Sequence, residues 1–217
     1  MNIAIDGPAG AGKSTIAKII AKKLGYIYVD TGAMYRAMAI HMLKNSIDKN
    51  DTKAIADASA LADVSIKYVD GEQRVILNGE DVTASLREEA VGNMASVSSA
   101  VPEVRTNLTN LQRKLAREND VVMDGRDIGT VVLPDAEVKV FLTASSKVRA
   151  KRRYDELIAK NESADLEAIE KDIIERDNRD MNRETAPLKQ ADDAVLVDSS
   201  DMTIEEVADK IASMVTR

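Results

Sequence analysis

The sequence predicts an α/β protein in which a parallel sheet is covered by helices on both faces. Three observations carry that expectation. Short apolar runs that end at polar turns alternate with helical stretches. A glycine-rich loop joins the first run to the first helix, and in one segment, Val64 to Thr83, apolar residues alternate with polar ones at period two.

Asn2 to Ile5 is the first apolar run, and Ile16, Ile19, Ile20 and Leu24 then recur at helical spacing from Ser14 to Leu24, giving strand, loop, helix. Gly25 supplies a C-terminal stop. Tyr26 to Val29 reads as a second buried strand, broken by Asp30-Thr31-Gly32 before a helix from about Ala33 to Leu43. Met34, Met38 and Met42 repeat every four residues there, a core-facing stripe, and His41 beside them is structural because no paired base or ligand pattern surrounds it.

Between Val64 and Thr83, Val64, Ile66, Tyr68, Val75 and Leu77 alternate with polar residues around Asp70-Gly71, and Asn78-Gly79 offers a second turn. This is a small β-rich insertion of antiparallel strands. Helical pattern returns from about Arg87 to Arg117 with a break near Pro102. Val121 to Met123, Val138 to Leu142 and Val195 to Val197 read as further buried strands. Lys147 to Ala159, Leu166 to Asn182 and Ile204 to Val215 read as helices.

Composition narrows the chemistry. With 217 residues, 44% apolar and 31% charged, the chain can bury a sizeable core, but it has no Trp and one Phe, so that core is aliphatic. A net charge of -7 argues against a surface that tracks nucleic acid. The absence of Cys excludes disulfides, thiol nucleophiles and Cys-ligated metals, and a single His makes a zinc site a poor fit. No basic leader and no apolar run of roughly 18 to 20 residues is present. A cytoplasmic protein with no membrane or nucleic-acid partner is expected, as a monomer.

Gly7-Pro8-Ala9-Gly10-Ala11-Gly12-Lys13-Ser14 fits G-x-x-x-x-G-K-[ST]. Glycines let several backbone N–H groups turn inward on phosphate oxygens, and the following helix adds its positive end. Lys13 reaches the β and γ phosphates, and a hydroxyl at Ser14 is a ligand for Mg²⁺. The bland alternative, a glycine turn that caps a helix and binds nothing, does not require the strand before and the helix after. No N-K-x-D segment marks a guanine switch, and the chain is too short for a motor with its own coupling domains.

The acceptor must be read from elsewhere. Arg36, Arg105, Arg126, Arg176, Arg179 and Arg183 stand at turns or helix edges, and a guanidinium fork matches phosphate oxygens, although any one of them taken alone reads as a surface ion-pair partner. Asp124-Gly125-Arg126-Asp127 follows an apolar strand at the end where α/β sheets bind ligands, and Asp124 is the carboxylate expected to help position Mg²⁺, directly or through water.

On four segments the chain resembles bacterial cytidylate kinases, of the nucleoside monophosphate kinase group. These are GPAGAGKST at Gly7 to Thr15, DTGAMYR at Asp30 to Arg36, DGRDIGTVV at Asp124 to Val132 and RDNRDMNRETAPL at Arg176 to Leu188. The resemblance implies a P-loop fold of three layers with a five-stranded parallel core sheet, a nucleoside-monophosphate-binding insertion and an α-helical lid. It implies transfer of the γ-phosphoryl group of ATP, with Mg²⁺, to CMP or dCMP. The expected division is a core at 1–62, the insertion at about 63–84, helices and core at about 85–145, the lid at about 146–183 and the last core part at 184–217.

Carried over by position, the resemblance implies that Gly7 to Thr15 bind ATP, including Pro8, Ala9, Gly10, Ala11 and Gly12. Arg36 and Arg126 are ligands of the acceptor phosphate, with Thr31 beside the same nucleotide. Ser96, Arg105 and Asp127 read the cytosine ring and Asp180 meets the sugar. Arg176 and Arg183 are lid-side arginines that act with Lys13 and Arg126 in catalysis, and one arginine of the Arg149 to Arg153 cluster stacks on adenine. Two departures stand out. Thr31 occupies a position where Ser is common, and Ser14-Thr15 stands where some members have Gly-Thr, which leaves the metal-side hydroxyl to either Ser14 or Thr15. The rival readings are a phosphate-loop kinase for another small acceptor and a nucleotide-regulated switch protein with an exposed apolar patch.

Overall fold

The computed structural model describes residues 1–215. In chain order the elements are β1 (Asn2–Asp6), α1 (Lys13–Leu24), β2 (Ile27–Asp30), α2 (Thr31–Lys44), α3 (Thr52–Ser59), β3 (Val64–Val69), β4 (Glu72–Leu77), β5 (Glu80–Asp81), α4 (Glu89–Ser98) and α5 (Pro102–Glu118). These are followed by β6 (Val121–Gly125), β7 (Val138–Thr143), α6 (Ser146–Ala159), α7 (Leu166–Asn182), β8 (Val195–Asp198) and α8 (Ile204–Ala212). The chain forms two compact units, 1–26 with 121–217 and 27–120.

The expected α/β class with a five-stranded core sheet holds, in the strand order β2-β6-β1-β7-β8. Within the first unit β1 pairs in parallel with β6 and with β7, and β7 with β8. Ile3, Ala4 and Ile5 of β1, Val121 to Met123 of β6 and Leu142 of β7 are solvent-free. Strands buried on both faces read as continuous apolar runs, which is why these were legible. No helix among the described residues is long and apolar enough to cross a membrane.

The second unit carries the β-rich insertion as a separate antiparallel sheet, β3-β4-β5. The turn between β3 and β4 holds Asp70 and Gly71 at φ 53 and 77, the left-handed pair that a tight hairpin needs. Met34, Met38 and Met42 are completely buried, as their spacing predicted. His41 is buried too, with Nδ1 3.4 Å from the Asn78 side-chain amide.

One expectation is corrected here, and one helix lies outside the sequence reading. Asp30-Thr31-Gly32 does not break the chain between β2 and its helix, because the Asp30 carboxylate accepts from Ala33 N at 2.9 Å and starts α2 directly at Thr31. The helix α3 had not been assigned, although Asp51 caps it in the same manner through Ala54 N.

Candidate active site

In the first unit the phosphate loop runs between β1 and α1. Gly7 has φ 147, and a Cβ there would lie 1.9 Å from the Leu142 carbonyl oxygen, so backbone contact with β7 excludes any side chain. Gly10 and Gly12 are left-handed at φ 75 and 89, and no side chain caps α1. The first turn of that helix therefore presents unpaired N–H groups to whatever the loop encloses.

Lys13 is buried and its Nζ donates to the Pro8 carbonyl at 2.7 Å, folding the ammonium back across the loop. Burial, and then Arg126 and Arg176, hold its pKa well below the ordinary lysine range against the pull of Asp124 and Asp6. Ser14 Oγ donates to Asp124 Oδ2 at 2.9 Å, joining the start of α1 to the end of β6. Thr15, the other candidate hydroxyl, is exposed on α1.

Asp124 is buried near the end of β6, and Arg126 and Asp127 follow the last residue of that strand, Gly125. Arg126 Nε donates to Asp180 Oδ2 at 2.9 Å, bringing the segment after β6 to the last turns of α7. Burial acts to raise the Asp180 carboxyl, but the charge and hydrogen bond of Arg126, with Arg176 and Arg183, outweigh it and hold the pKa below the ordinary carboxylate value. Asp127 is buried 3.4 Å from an Arg183 terminal nitrogen, and Arg183 also donates through Nε to the Ala186 carbonyl at 2.7 Å. Thus Lys13, Ser14, Asp124, Arg126, Asp127, Arg176, Asp180 and Arg183 belong to one charged network.

One residue that the sequence did not single out holds this network in place. Asp6, at the end of β1, receives Ile128 N at 2.8 Å and Gly129 N at 2.7 Å, which anchors the turn after Asp127. Burial is the largest influence on Asp6 and raises its pKa from 3.8 to about 6, while those two N–H groups act to lower it. A polar residue ending an otherwise apolar run beside the phosphate loop was the available signal. Arg149, expected among the adenine-stacking candidates, is buried and spends its guanidinium on the Ala144 and Ala9 carbonyls, both at 2.9 Å, and on Asp177 at 2.7 Å. Arg152 is tied to Ser199, and Arg153 pairs with Glu156 on an exposed surface.

In the second unit, Thr31 is buried as the first residue of α2 and Arg36 lies on the next turn. Arg36 Nη1 would stand 3.4 Å from a Cβ built on Gly32, so the guanidinium folds back on the helix start. Arg105, buried on α5, donates to the Ser99 carbonyl at 3.1 Å, and its guanidinium carbon sits 5.3 Å from the Tyr35 ring centroid. Ser99 Oγ in turn donates to the Ser96 carbonyl at 3.1 Å. The buried Ser96 hydroxyl has no hydrogen-bond partner among the described residues, a donor and acceptor held ready for a ligand or water.

Comparison with known proteins gives one consistent answer. The family model described as cytidylate kinase matches residues 3–217. The cytidylate kinase of Caldicellulosiruptor saccharolyticus is 51% identical over 99% of this chain and 95% of its own length. That of Lactobacillus johnsonii is 50% identical over 100% and 94%, and that of Carboxydothermus hydrogenoformans 48% over 100% and 98%. Among solved structures, the shikimate kinase from Bacteroides thetaiotaomicron aligns over 99% of this chain and 98% of its own with TM-score 0.50 at 14% identity. An uncharacterized protein from Eubacterium ventriosum aligns over 100% and 99% with TM-score 0.52, also at 14% identity. At that identity these two bear on the fold alone.

Proposed function

The chain belongs to the cytidylate kinase family, and from that premise we propose that it transfers the γ-phosphoryl group of ATP to CMP and to dCMP, giving ADP with CDP or dCDP. The observation that carries the reading is the phosphate loop with Ser14 hydrogen bonded to Asp124 and flanked by Lys13 and Arg126. The site gathers lysine and arginine donors with carboxylate and hydroxyl oxygens around the loop. Phosphoryl transfer needs little else, since positioning and charge stabilisation supply most of the catalysis.

Ser14 and Asp124 fit a hydrated Mg²⁺ that the nucleotide phosphates hold in the main. They offer a hydroxyl and a carboxylate oxygen 2.9 Å apart, and no group of three or more His, Cys, Asp or Glu that could hold a metal occurs among the described residues. When bound, the ion neutralises charge on the β and γ phosphates. We assign the hydroxyl to Ser14 rather than Thr15, because Ser14 is the one that meets Asp124.

Gly7 to Thr15 cradle the ATP phosphates. Lys13, whose ammonium is costly to keep charged when buried, finds its counter-charge in the β and γ phosphate oxygens. Arg176 and Arg183, on and just beyond α7 in the lid segment 146–183, add charge as the phosphoryl group departs. Arg126 and Arg36 take the acceptor phosphate, with Thr31 beside it and Asp180 toward the sugar. Asp127 accepts from the exocyclic amine of cytosine, while Arg105 or Ser96 donates to the ring. Uracil carries a carbonyl in place of that amine and would leave the carboxylate unpaired, which costs affinity and rate for UMP. These nucleotides are pooled in the cytoplasm, where the enzyme is expected to act.

The test is ADP release with ATP and Mg²⁺ against CMP, dCMP, UMP, AMP, GMP and no acceptor. Fast turnover confined largely to CMP and dCMP is expected. No stimulation by any cytidine nucleotide would sink the reading.

A further inference from the structure

Tyr68 and Gln73 are register partners across β3 and β4, so their side chains leave the hairpin on the same face. Both end on backbone groups of β2. Tyr68 Oη donates to the Tyr28 carbonyl at 3.1 Å. The Gln73 amide accepts from Asp30 N at 2.9 Å and donates to the Asp30 carbonyl at 3.2 Å, matching both polar groups of one residue. Tyr28 and Asp30 are two positions apart on their strand, the spacing at which one edge of a strand repeats. Burial pushes the Tyr68 phenol up to about 12, which keeps it a donor throughout the physiological range.

What these bonds hold is the root of α2. Asp30 is the residue whose carboxylate caps Ala33 N. A Cβ on Gly32 would stand 3.2 Å from that carboxylate and 3.4 Å from Arg36 Nη1. The Asp30 backbone, the cap, Thr31 and the Arg36 guanidinium are therefore packed as one piece, and a displacement of Asp30 carries the others with it.

We propose that Tyr68 and Gln73 are positioning residues for the acceptor nucleotide: the insertion hairpin fixes the end of β2 through side-chain-to-backbone hydrogen bonds, and so aims Thr31 and Arg36. The proposal rests on the reading that those two residues serve CMP. Neither Tyr68 nor Gln73 need touch substrate. The hairpin acts on the acceptor side of the reaction and leaves ATP binding alone.

The experiment compares the wild-type chain with Tyr68→Phe, Gln73→Ala and the double variant. It uses initial rates at varied CMP and varied ATP, and amide hydrogen exchange of residues 31–36 without substrate. The double variant is expected to raise KM for CMP about tenfold, the scale of one to two neutral hydrogen bonds, with KM for ATP within about twofold. Its first turn of α2 exchanges faster. The proposal is overturned if KM for CMP stays within about twofold of wild type, if both KM values rise together as in a general loss of structure, or if exchange in residues 31–36 does not change. A wild-type chain inert toward CMP sinks the acceptor reading by itself, whereas unmoved exchange and an unmoved KM ratio in an active enzyme sink this one alone.

Discussion

Asp6 illustrates how a single side chain can organise a site without belonging to its motif. Its carboxylate is buried and takes two backbone N–H groups from the turn after Asp127, yet burial still dominates and lifts its pKa from 3.8 to about 6. The sign follows from linkage. A carboxyl whose folded pKa is raised is protonated more readily in the folded chain, so its contribution to stability is fully present below about 3.8 and is lost as pH rises through about 6. At about 1.4 kcal/mol for each pH unit between the two values, the change is on the order of 3 kcal/mol. Asp6→Asn removes the titration, and its amide group must set an N–H against a backbone N–H. Urea unfolding from pH 4 to pH 7.5 should show the stability gap between wild type and variant narrowing by roughly that amount as pH rises. A gap independent of pH would mean that Asp6 titrates near its ordinary value. At this scale the sequence was informative where a motif ties residue type to a chemical task, as at Lys13, Ser14 and Asp124. It was silent on Asp6 and left Arg149 among the adenine-stacking candidates, because the roles of both depend on which backbone groups come near them.

Among the elements, α2 shows most clearly how pattern becomes packing. Its period-four methionines were legible because a buried helix face must repeat at close to 3.6 residues, and all three are solvent-free. Met38→Ala should therefore cost about 2 to 5 kcal/mol, seen as a lower urea midpoint with an unchanged slope. A cost under about 1 kcal/mol would show that neighbouring side chains close the cavity. The start of the same helix was misread, since Asp30-Thr31-Gly32 has the composition of a turn. Composition does not tell whether an Asp caps a helix or bends a loop until its carboxylate finds an N–H. Strand β6 also runs further than its apolar stretch, to Gly125, because pairing with β1 continues through Asp124 and Gly125. Ladder hydrogen bonds are backbone properties and pass over polar residues.

For the whole molecule, the proposed reaction predicts linkage between nucleotides and folding. Either substrate at about 100 times its Kd should stabilise the chain by about 2.7 kcal/mol, or roughly 5 to 10 °C in melting temperature for a protein of this size. A thermal melt with CMP and with UMP at equal concentration should give the larger shift with CMP; equal shifts would remove the cytosine-reading role from Asp127. The sequence by itself determined the α/β class, the insertion, the phosphate loop and the family, because these rest on short-range periodicity and on contiguous motifs whose residue types the chemistry requires. Only the tertiary structure decided which charges meet. Ser14 finds Asp124 across 110 positions, Arg126 finds Asp180 across 54, and Gln73 finds Asp30 across 43. Such pairings are set by strand register and by the places where helices return to the sheet. Every charged side chain has many possible partners along the chain, and folding selects among them by burial and backbone geometry.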